Sequence, residues 1–280
     1  MKVAIIGYGF VGKALYRGLK ENIKVIKIDP LLGTKIDDLT DFNPSFIFIC
    51  VPTPMNQDGS QDLSIVEKIF NKLSNIKLKA NIVLKSTVIP DNLDFLSKKI
   101  DFVYNPEFLR EKSADYDFIN GETILFGGKE KLCLDVSKFY RIYTKCKQKK
   151  HFITDQKSAS LVKYSINSFL ATKVIFFNQL KSLLEITNPE SDWESFINII
   201  SKDNRIGESH MQVPGHDGRK GFGGACFPKD ISALEIFATQ NNFDFSIIKE
   251  VIKTNNKIRS VYNDTTERES DQNITFQQDN

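Results

Sequence analysis

Val3-Ala4-Ile5-Ile6-Gly7-Tyr8-Gly9-Phe10-Val11-Gly12 decides the fold. Four consecutive apolar residues, three of them β-branched, read as a short buried strand. Three glycines follow in G-x-G-x-x-G spacing, and residues 11–20 carry a helical pattern. Gly7 permits a tight turn, Gly9 lets backbone approach a pyrophosphate, and Gly12 lets the helix pack closely on the strand. The phosphates then meet N–H groups at the helix N-terminus. Residues 24–28 read as a second strand. Asp29 follows it, at the position where an acid binds an adenosine ribose. Strand, glycines, helix, strand and acid in that order make Gly7, Tyr8, Gly9, Phe10, Val11, Gly12 and Asp29 a dinucleotide site; the alternative is a glycine-rich turn in an unliganded α/β fold. An acid at Asp29 favours NAD over NADP, and Lys35 is the nearby residue that bears on that choice.

Outward from this start, residues 46–51, 81–84, 102–104 and 123–126 read as further strands, with a helix at 63–73. Strands alternating with helices imply βαβ units and a parallel sheet. Two loops fall at strand C-terminal ends, where open α/β sheets bind ligands: Val51-Pro52-Thr53-Pro54 and Lys85-Ser86-Thr87-Val88. Their hydroxyls serve either a cofactor and a water, or turn chemistry alone. The pattern breaks into polar, Lys-rich sequence over residues 144–156, which sets an NAD-binding domain at 1–152 and a helical domain at 153–260. Residues 158–186 form one long helical pattern, with Leu161, Tyr164, Ile166, Leu170, Val174, Phe177, Leu180 and Leu184 at three- and four-residue steps. Apolar residues on both faces predict burial on more than one side. Further helices are predicted at 193–201, 230–241 and 245–260. Residues 261–280 are polar and aperiodic, and are expected to be disordered.

With 280 residues, 41% hydrophobic and 26% charged, the chain is a globular protein long enough for two domains. A net charge of +3 is too small to argue for nucleic acid. No segment approaches about eighteen consecutive apolar residues, so no membrane span is predicted. Residues 1–12 lack the pattern of a secretion signal. Cys50, Cys133, Cys146 and Cys226 have no C-x-x-C spacing, so reduced thiols in a cytoplasmic protein are expected rather than a zinc site or disulfides. His210 and His216 lack a third ligand in pattern, and no metal is expected.

Gly221-Phe222-Gly223-Gly224-Ala225-Cys226-Phe227-Pro228-Lys229-Asp230 places a thiol in a glycine-rich loop just before a helix. The helix N-terminus and Lys229 favour the thiolate. Cys226 is then either a nucleophile or a small buried filler. Lys163 and Asn167 are four apart, so both leave one face of the long helix, toward a site or toward solvent. Glu107 and Glu111 are also four apart; on a helix they would be paired carboxylates suited to activating water, and otherwise surface charges.

Together these residues resemble the UDP-glucose/GDP-mannose dehydrogenase family. The matching motifs are GYGFVG at 7–12, VPTP at 51–54, KSTV at 85–88, NPEFLRE at 105–111, Lys163 with Asn167, Arg205-Ile206-Gly207, and GFGGACFPKD at 221–230. The resemblance implies an N-terminal Rossmann parallel sheet followed by an α-helical dimerisation domain, with a homodimer built on the long helix from Ser158. It implies oxidation of a nucleotide-sugar primary alcohol to the uronate with two NAD, UDP-glucose to UDP-glucuronate being the leading case. By that resemblance Cys226 forms a thiohemiacetal and then a thioester. Lys163 and Asn167 stabilise the oxyanion. Asp230 and Thr87 order water, with Glu107 assisting hydrolysis. Pro52, Thr53, Thr87, Glu111, Lys229 and Lys35 fall on the cofactor side. Glu107, Phe108, Leu109, Arg110, Lys163, Asn167, Arg205, Phe222 and Gly223 fall on the substrate side, with Arg205 reaching across the dimer. Family members continue into a C-terminal Rossmann-like domain that grips the nucleotide, and residues 261–280 are too short to form it. Two competing functions follow: a two-electron β-hydroxyacid-type dehydrogenase, which needs no Cys226, and a non-catalytic dimeric NAD-binding protein.

Overall fold

The computed structural model describes residues 1–146 and 149–276. The chain forms two compact units. The first comprises Met1–Thr53 and Asp62–Lys163. Its sheet, among the described residues, has seven strands: β1 (Lys2–Ile6), β2 (Lys24–Ile28), β3 (Phe46–Ile49), β4 (Asn81–Leu84), β5 (Val103–Tyr104), β6 (Thr123–Gly127) and β7 (Lys150–Thr154). Their order is β2-β1-β3-β4-β5-β6-β7. All neighbours run parallel except β5 and β6, which meet antiparallel through Tyr104 and Gly127, so the expected parallel sheet carries one reversal. Ile28, Ile6, Ile49, Leu84 and Tyr104 form one row of register partners across five strands. The loops after β1 to β5 therefore leave the sheet at one level, which is what aligns the loop motifs read from the sequence.

Alternation along β1 shows why both faces are covered. Ala4 and Ile6 join one core with Ile47, Val66, Ile69, Phe70 and Leu73. Val3 and Ile5 join the other with Leu15, Phe48, Val136, Phe139 and Tyr140. A strand buried on both sides reads as an unbroken apolar run rather than an alternating one. Helices α1 (Phe10–Gly18), α2 (Leu39–Phe42), α3 (Ser64–Asn75), α4 (Pro90–Ser97), α5 (Ala114–Asn120) and α6 (Glu130–Tyr143) complete the unit, together with the first two turns of α7 (Gln156–Ile186). The boundary expected at 152/153 thus falls eleven residues later, at 163/164. The polar stretch taken as a linker contains β7, whose five residues pair in register with β6. Being outermost in the sheet, β7 leaves Phe152 and Ile153 exposed, and this hid it from an apolar pattern search.

The second unit comprises Pro54–Gln61 and Tyr164–Asn280. It holds the rest of α7, then α8 (Trp193–Ser201), α9 (Phe227–Gln240), α10 (Ser246–Arg259) and α11 (Glu267–Ser270). Ala171 and Ile175 of α7 pack with Phe222, Ile231, Ile248 and Val251, and Phe177 packs with Trp193, Ile197, Met211 and Val213. Phe169, Phe176 and Leu183 of α7 stay exposed, so within this chain the helix is covered on one side only. The loop at 210–218 is anchored by buried Met211 and Val213 and belongs to the frame of this unit. The expectation of a disordered 261–280 is corrected for residues 261–276. Thr266 caps α11 in a reciprocal capping box with Glu269, and Ile274 is 1% exposed. Composition misled here because the polar groups of the segment are paired rather than solvated. Residues 147–148 and 277–280 lie outside the described residues. Among the described residues no helix is long and apolar enough to cross a membrane.

Candidate active site

The first unit supplies a dinucleotide cradle. Gly7 has φ of +88°, and a Cβ there would lie 2.8 Å from the Cys50 backbone. A Cβ on Gly12 would lie 2.2 Å from the Gly7 carbonyl oxygen, while one on Gly9 would meet nothing within 4 Å. Two glycines are therefore demanded by contact, and the middle one leaves the N-terminus of α1 open to a phosphate. Asp29 leaves β2 beside this turn: its Oδ2 accepts the Tyr8 N–H at 2.7 Å and its Oδ1 the Leu31 N–H at 2.9 Å. Each carboxylate oxygen keeps a second acceptor site for a ribose hydroxyl. The residues fit NAD. Sequence reasoning missed Lys27, whose ammonium lies over the rings of Tyr8 (4.6 Å) and Tyr16 (3.9 Å). Lys35 is exposed, its backbone N–H held by Asp38. Replacing Gly12 by Ala forces that overlap; we expect a loss of about 1–3 kcal/mol of stability and at least tenfold weaker NAD binding, read by thermal melts with and without NAD.

The loops after β3 and β4 are tied to each other. The Thr53 hydroxyl donates to the Thr87 carbonyl at 3.0 Å, and the Ser86 hydroxyl to the Val51 carbonyl at 2.6 Å. Thr53 and Thr87 are both buried, and Pro52 precedes this junction. The loop after β5 delivers Glu107. Its Oε1 accepts Lys163 Nζ at 3.2 Å and its Oε2 the Leu109 N–H at 2.5 Å. Both side chains of this ion pair are under a tenth exposed, at 4% for Lys163 and 7% for Glu107. Phe108 lies against the same ammonium, its ring centroid 5.4 Å away. Residues 105–110 are not helical, so Glu107 and Glu111 are not the paired carboxylates that their spacing suggested: Glu107 is buried and Glu111 exposed. Arg110 forms a two-pronged bond to Asp117, and this carboxylate holds its guanidinium firmly charged.

A second residue that sequence reasoning missed anchors that loop. Lys85 is buried, its Nζ donating to the Asn105 carbonyl (3.2 Å) and Asn105 Oδ1 (3.1 Å), while Tyr140 OH donates to the same Oδ1 at 2.7 Å. Burial pushes Lys85 down to about 8 from its ordinary 10.5. Between those values the unfolded chain binds the extra proton, so Lys85 makes stability rise with pH across that window. We expect the wild-type melting temperature to gain on a Lys85→Met variant between pH 8 and 10.

In the second unit, Cys226 is the N-cap of α9, with Pro228 in the first turn. It is partly exposed, while Cys50, Cys133 and Cys146 are buried. Burial pushes Cys50 up to about 12 and Cys133 to about 11, and raises Cys146 as well, so those thiols stay protonated and inert at neutral pH. One turn into α9, Asp230 is 1% exposed. Its Oδ2 accepts Asn167 Nδ2 at 2.6 Å and its Oδ1 accepts Lys229 Nζ at 2.5 Å. Asp230 thereby fixes the amide of Asn167 and holds a cation at the same helix end as the thiol. Phe222, expected on the substrate side, is spent on the frame: its ring is in the core and both of its backbone groups bond to Asn255. Arg205 is exposed and paired with Asp203, while Lys173 clamps the carbonyls of Ile206 and Gly207. Among the described residues no three His, Cys, Asp or Glu are grouped to hold a metal.

Known proteins carry the same pattern. The profile of the UDP-glucose/GDP-mannose dehydrogenase family, NAD binding domain, matches residues 40–147, and that of its central domain matches residues 157–257. A UDP-glucose 6-dehydrogenase of Rickettsia felis is 36% identical over 223 residues, covering 76% of this chain and 48% of that protein. A second, of Rickettsia bellii, is 32% identical over 296 residues, covering 91% of this chain and 67% of that one. The chain thus spans about half to two thirds of the length of these relatives. Among solved structures, a UDP-glucose dehydrogenase of Pyrobaculum islandicum superposes with a TM-score of 0.76 at 25% identity, over 91% of this chain and 68% of that one.

Proposed function

This chain belongs to the UDP-glucose/GDP-mannose dehydrogenase family, and from that premise we propose that it oxidises the primary alcohol of a nucleotide sugar to a carboxylate through a covalent bond to Cys226. The observation that carries the reading is the partly exposed Cys226 thiol at the N-terminus of α9, with Lys229, Asp230 and Asn167 fixed at the same helix end. UDP-glucose is the leading substrate.

Gly7, Gly9, Gly12 and Asp29 would hold NAD, which would supply the hydride acceptor for the two oxidations, one NAD molecule for each. The residues of the chain do the rest. Lys163 presents its ammonium to the oxygen that becomes alkoxide-like, with Glu107 holding that ammonium in place. Asn167, oriented by Asp230, adds a neutral donor. Cys226 adds as thiolate to the aldehyde carbon, so the half-oxidised sugar stays bound as a thiohemiacetal. The second oxidation leaves a C6–sulfur acyl bond. Water attacks that carbon, the C–S bond breaks, and the thiolate leaves. A second water, ordered by Thr87 and the spare lone pairs of Asp230, takes the hydroxyl proton released at each oxidation, while Glu107 takes the proton of the attacking water. Phe108, Leu109, Arg110, Arg205 and the backbone of Gly223 complete the substrate side. The exposed apolar side of α7, with Phe169, Phe176 and Leu183, serves a homodimer. The cytoplasm is the proposed place of this work.

The test is a screen for NADH formation over UDP-glucose, GDP-mannose and UDP-N-acetyl sugars. Turnover with one of them supports the reading. NAD binding without turnover on any of them points to a non-catalytic NAD-binding protein instead.

A further inference from the structure

The C-terminal segment, unremarkable as sequence, reaches the loop that carries Cys226. Glu269 is fully buried, as is Arg259 at the end of α10, and their side chains form an ion pair of 2.7 Å with no exposed surface on either. The same Glu269 Oε1 accepts the Gly224 N–H at 3.2 Å. Its Oε2 accepts the Thr266 N–H at 2.8 Å, so both oxygens are committed. Arg259 reaches on with Nη1 to Asp217 Oδ2 at 2.7 Å. A Cβ on Gly223 would lie 2.2 Å from both Arg259 Nη2 and Glu269 Oε1. Ahead of this point, Asn178 Oδ1 accepts the Gly221 N–H at 2.9 Å. The strand of backbone from Gly221 to Gly224 is thus bonded at three of its four N–H groups by side chains. The last of these bonds lies two residues before the thiol. It is also the charged one, and it comes from α11.

A buried ion pair is a poor device for stability alone, because desolvation offsets much of the attraction. What such a pair supplies is geometry, since charge-assisted hydrogen bonds are short and directional. Gly223 has no side chain where the pair sits, and Gly224 has φ of +77°, a conformation that glycine adopts without strain. The loop is therefore shaped to receive the carboxylate.

We propose that Glu269, seated by Arg259, is a positioning residue for Cys226: by holding the Gly224 N–H it fixes the approach of the loop to α9 and keeps the thiol at the N-cap. This inference rests on the reading of Cys226 as the nucleophile, and its test separates the two. In the full chain, Cys226 is the thiol open to iodoacetamide, because the other three are buried. Alkylation reports the placement of the thiol whether or not it acts in turnover. Glu269→Ala is expected to slow alkylation of Cys226 at neutral pH by about tenfold, the scale of one lost charge-assisted hydrogen bond, and to lower kcat for acid formation with KM for NAD unchanged. Glu269→Gln, which keeps an acceptor oxygen for Gly224, is expected to restore most of the alkylation rate. A folded Glu269→Ala variant whose alkylation profile against pH matches wild type overturns the proposal. Should the Ala variant unfold, Glu269→Asp decides: shortened by one methylene it withdraws from Gly224, and unchanged alkylation in that variant overturns the proposal equally. If alkylation responds as expected while a Cys226→Ser variant still makes acid, the positioning stands and the nucleophile reading fails.

Discussion

Replacing Cys226 by Ser is expected to lower acid formation by about a thousandfold or more, the loss typical of a removed nucleophile, while NAD binding stays at the wild-type level. A hydroxyl at the N-cap of α9 has the right shape, so the fold survives, but a helix N-terminus and Lys229 do not ionise an alcohol at neutral pH. The half-oxidised sugar then has no covalent anchor. It is lost to solvent as an aldehyde, or it stays bound and blocks the site. Product analysis after complete consumption of NAD distinguishes the outcomes. Uronate formation by the Ser variant at a rate near wild type would show that Cys226 is not the nucleophile.

The second large effect is expected at Lys163. Lys163→Met removes the cation from a carboxylate that is itself buried, and breaking a buried pair on one side costs about 3–5 kcal/mol of stability. The same change removes the group proposed to face the developing oxyanion, for which a loss of about a hundred- to a thousandfold in kcat is expected. Stability and catalysis separate in the double variant. Adding Glu107→Gln to Lys163→Met removes the orphaned charge, so thermal stability should largely return while activity should not. Recovery of activity in the double variant would show that Lys163 serves only to neutralise Glu107.

Much of the first unit was legible because its strands are short apolar runs bounded by glycine, proline and polar turns. Lys24–Ile28 and Asn81–Leu84 fall at the residues expected of them. The glycine turn was legible for a related reason: Gly7 and Gly12 each have backbone where a side chain would go, so their identity is set by contact. The elements that escaped are those whose residues answer to partners rather than to a period. β7 borrows its regularity from β6. α11 is a single turn whose one buried residue is a glutamate, and no hydrophobic pattern announces it. The paired-carboxylate reading of Glu107 and Glu111 failed because Pro106 and the buried ties of Asn105 hold that loop extended, a tertiary cause beyond the reach of spacing. Lys85 and Glu269 were missed for the same reason. A lysine or glutamate in a polar stretch looks solvated until the groups that bury it are known.

A two-step oxidation held on one sulfur is tested most directly by its stoichiometry. With a nucleotide sugar as limiting substrate and NAD in excess, NADH formed is measured against sugar consumed. Two NADH for each sugar converted, with carboxylate as the product, is the predicted result. One NADH per sugar, with the product released at the carbonyl level, would contradict it.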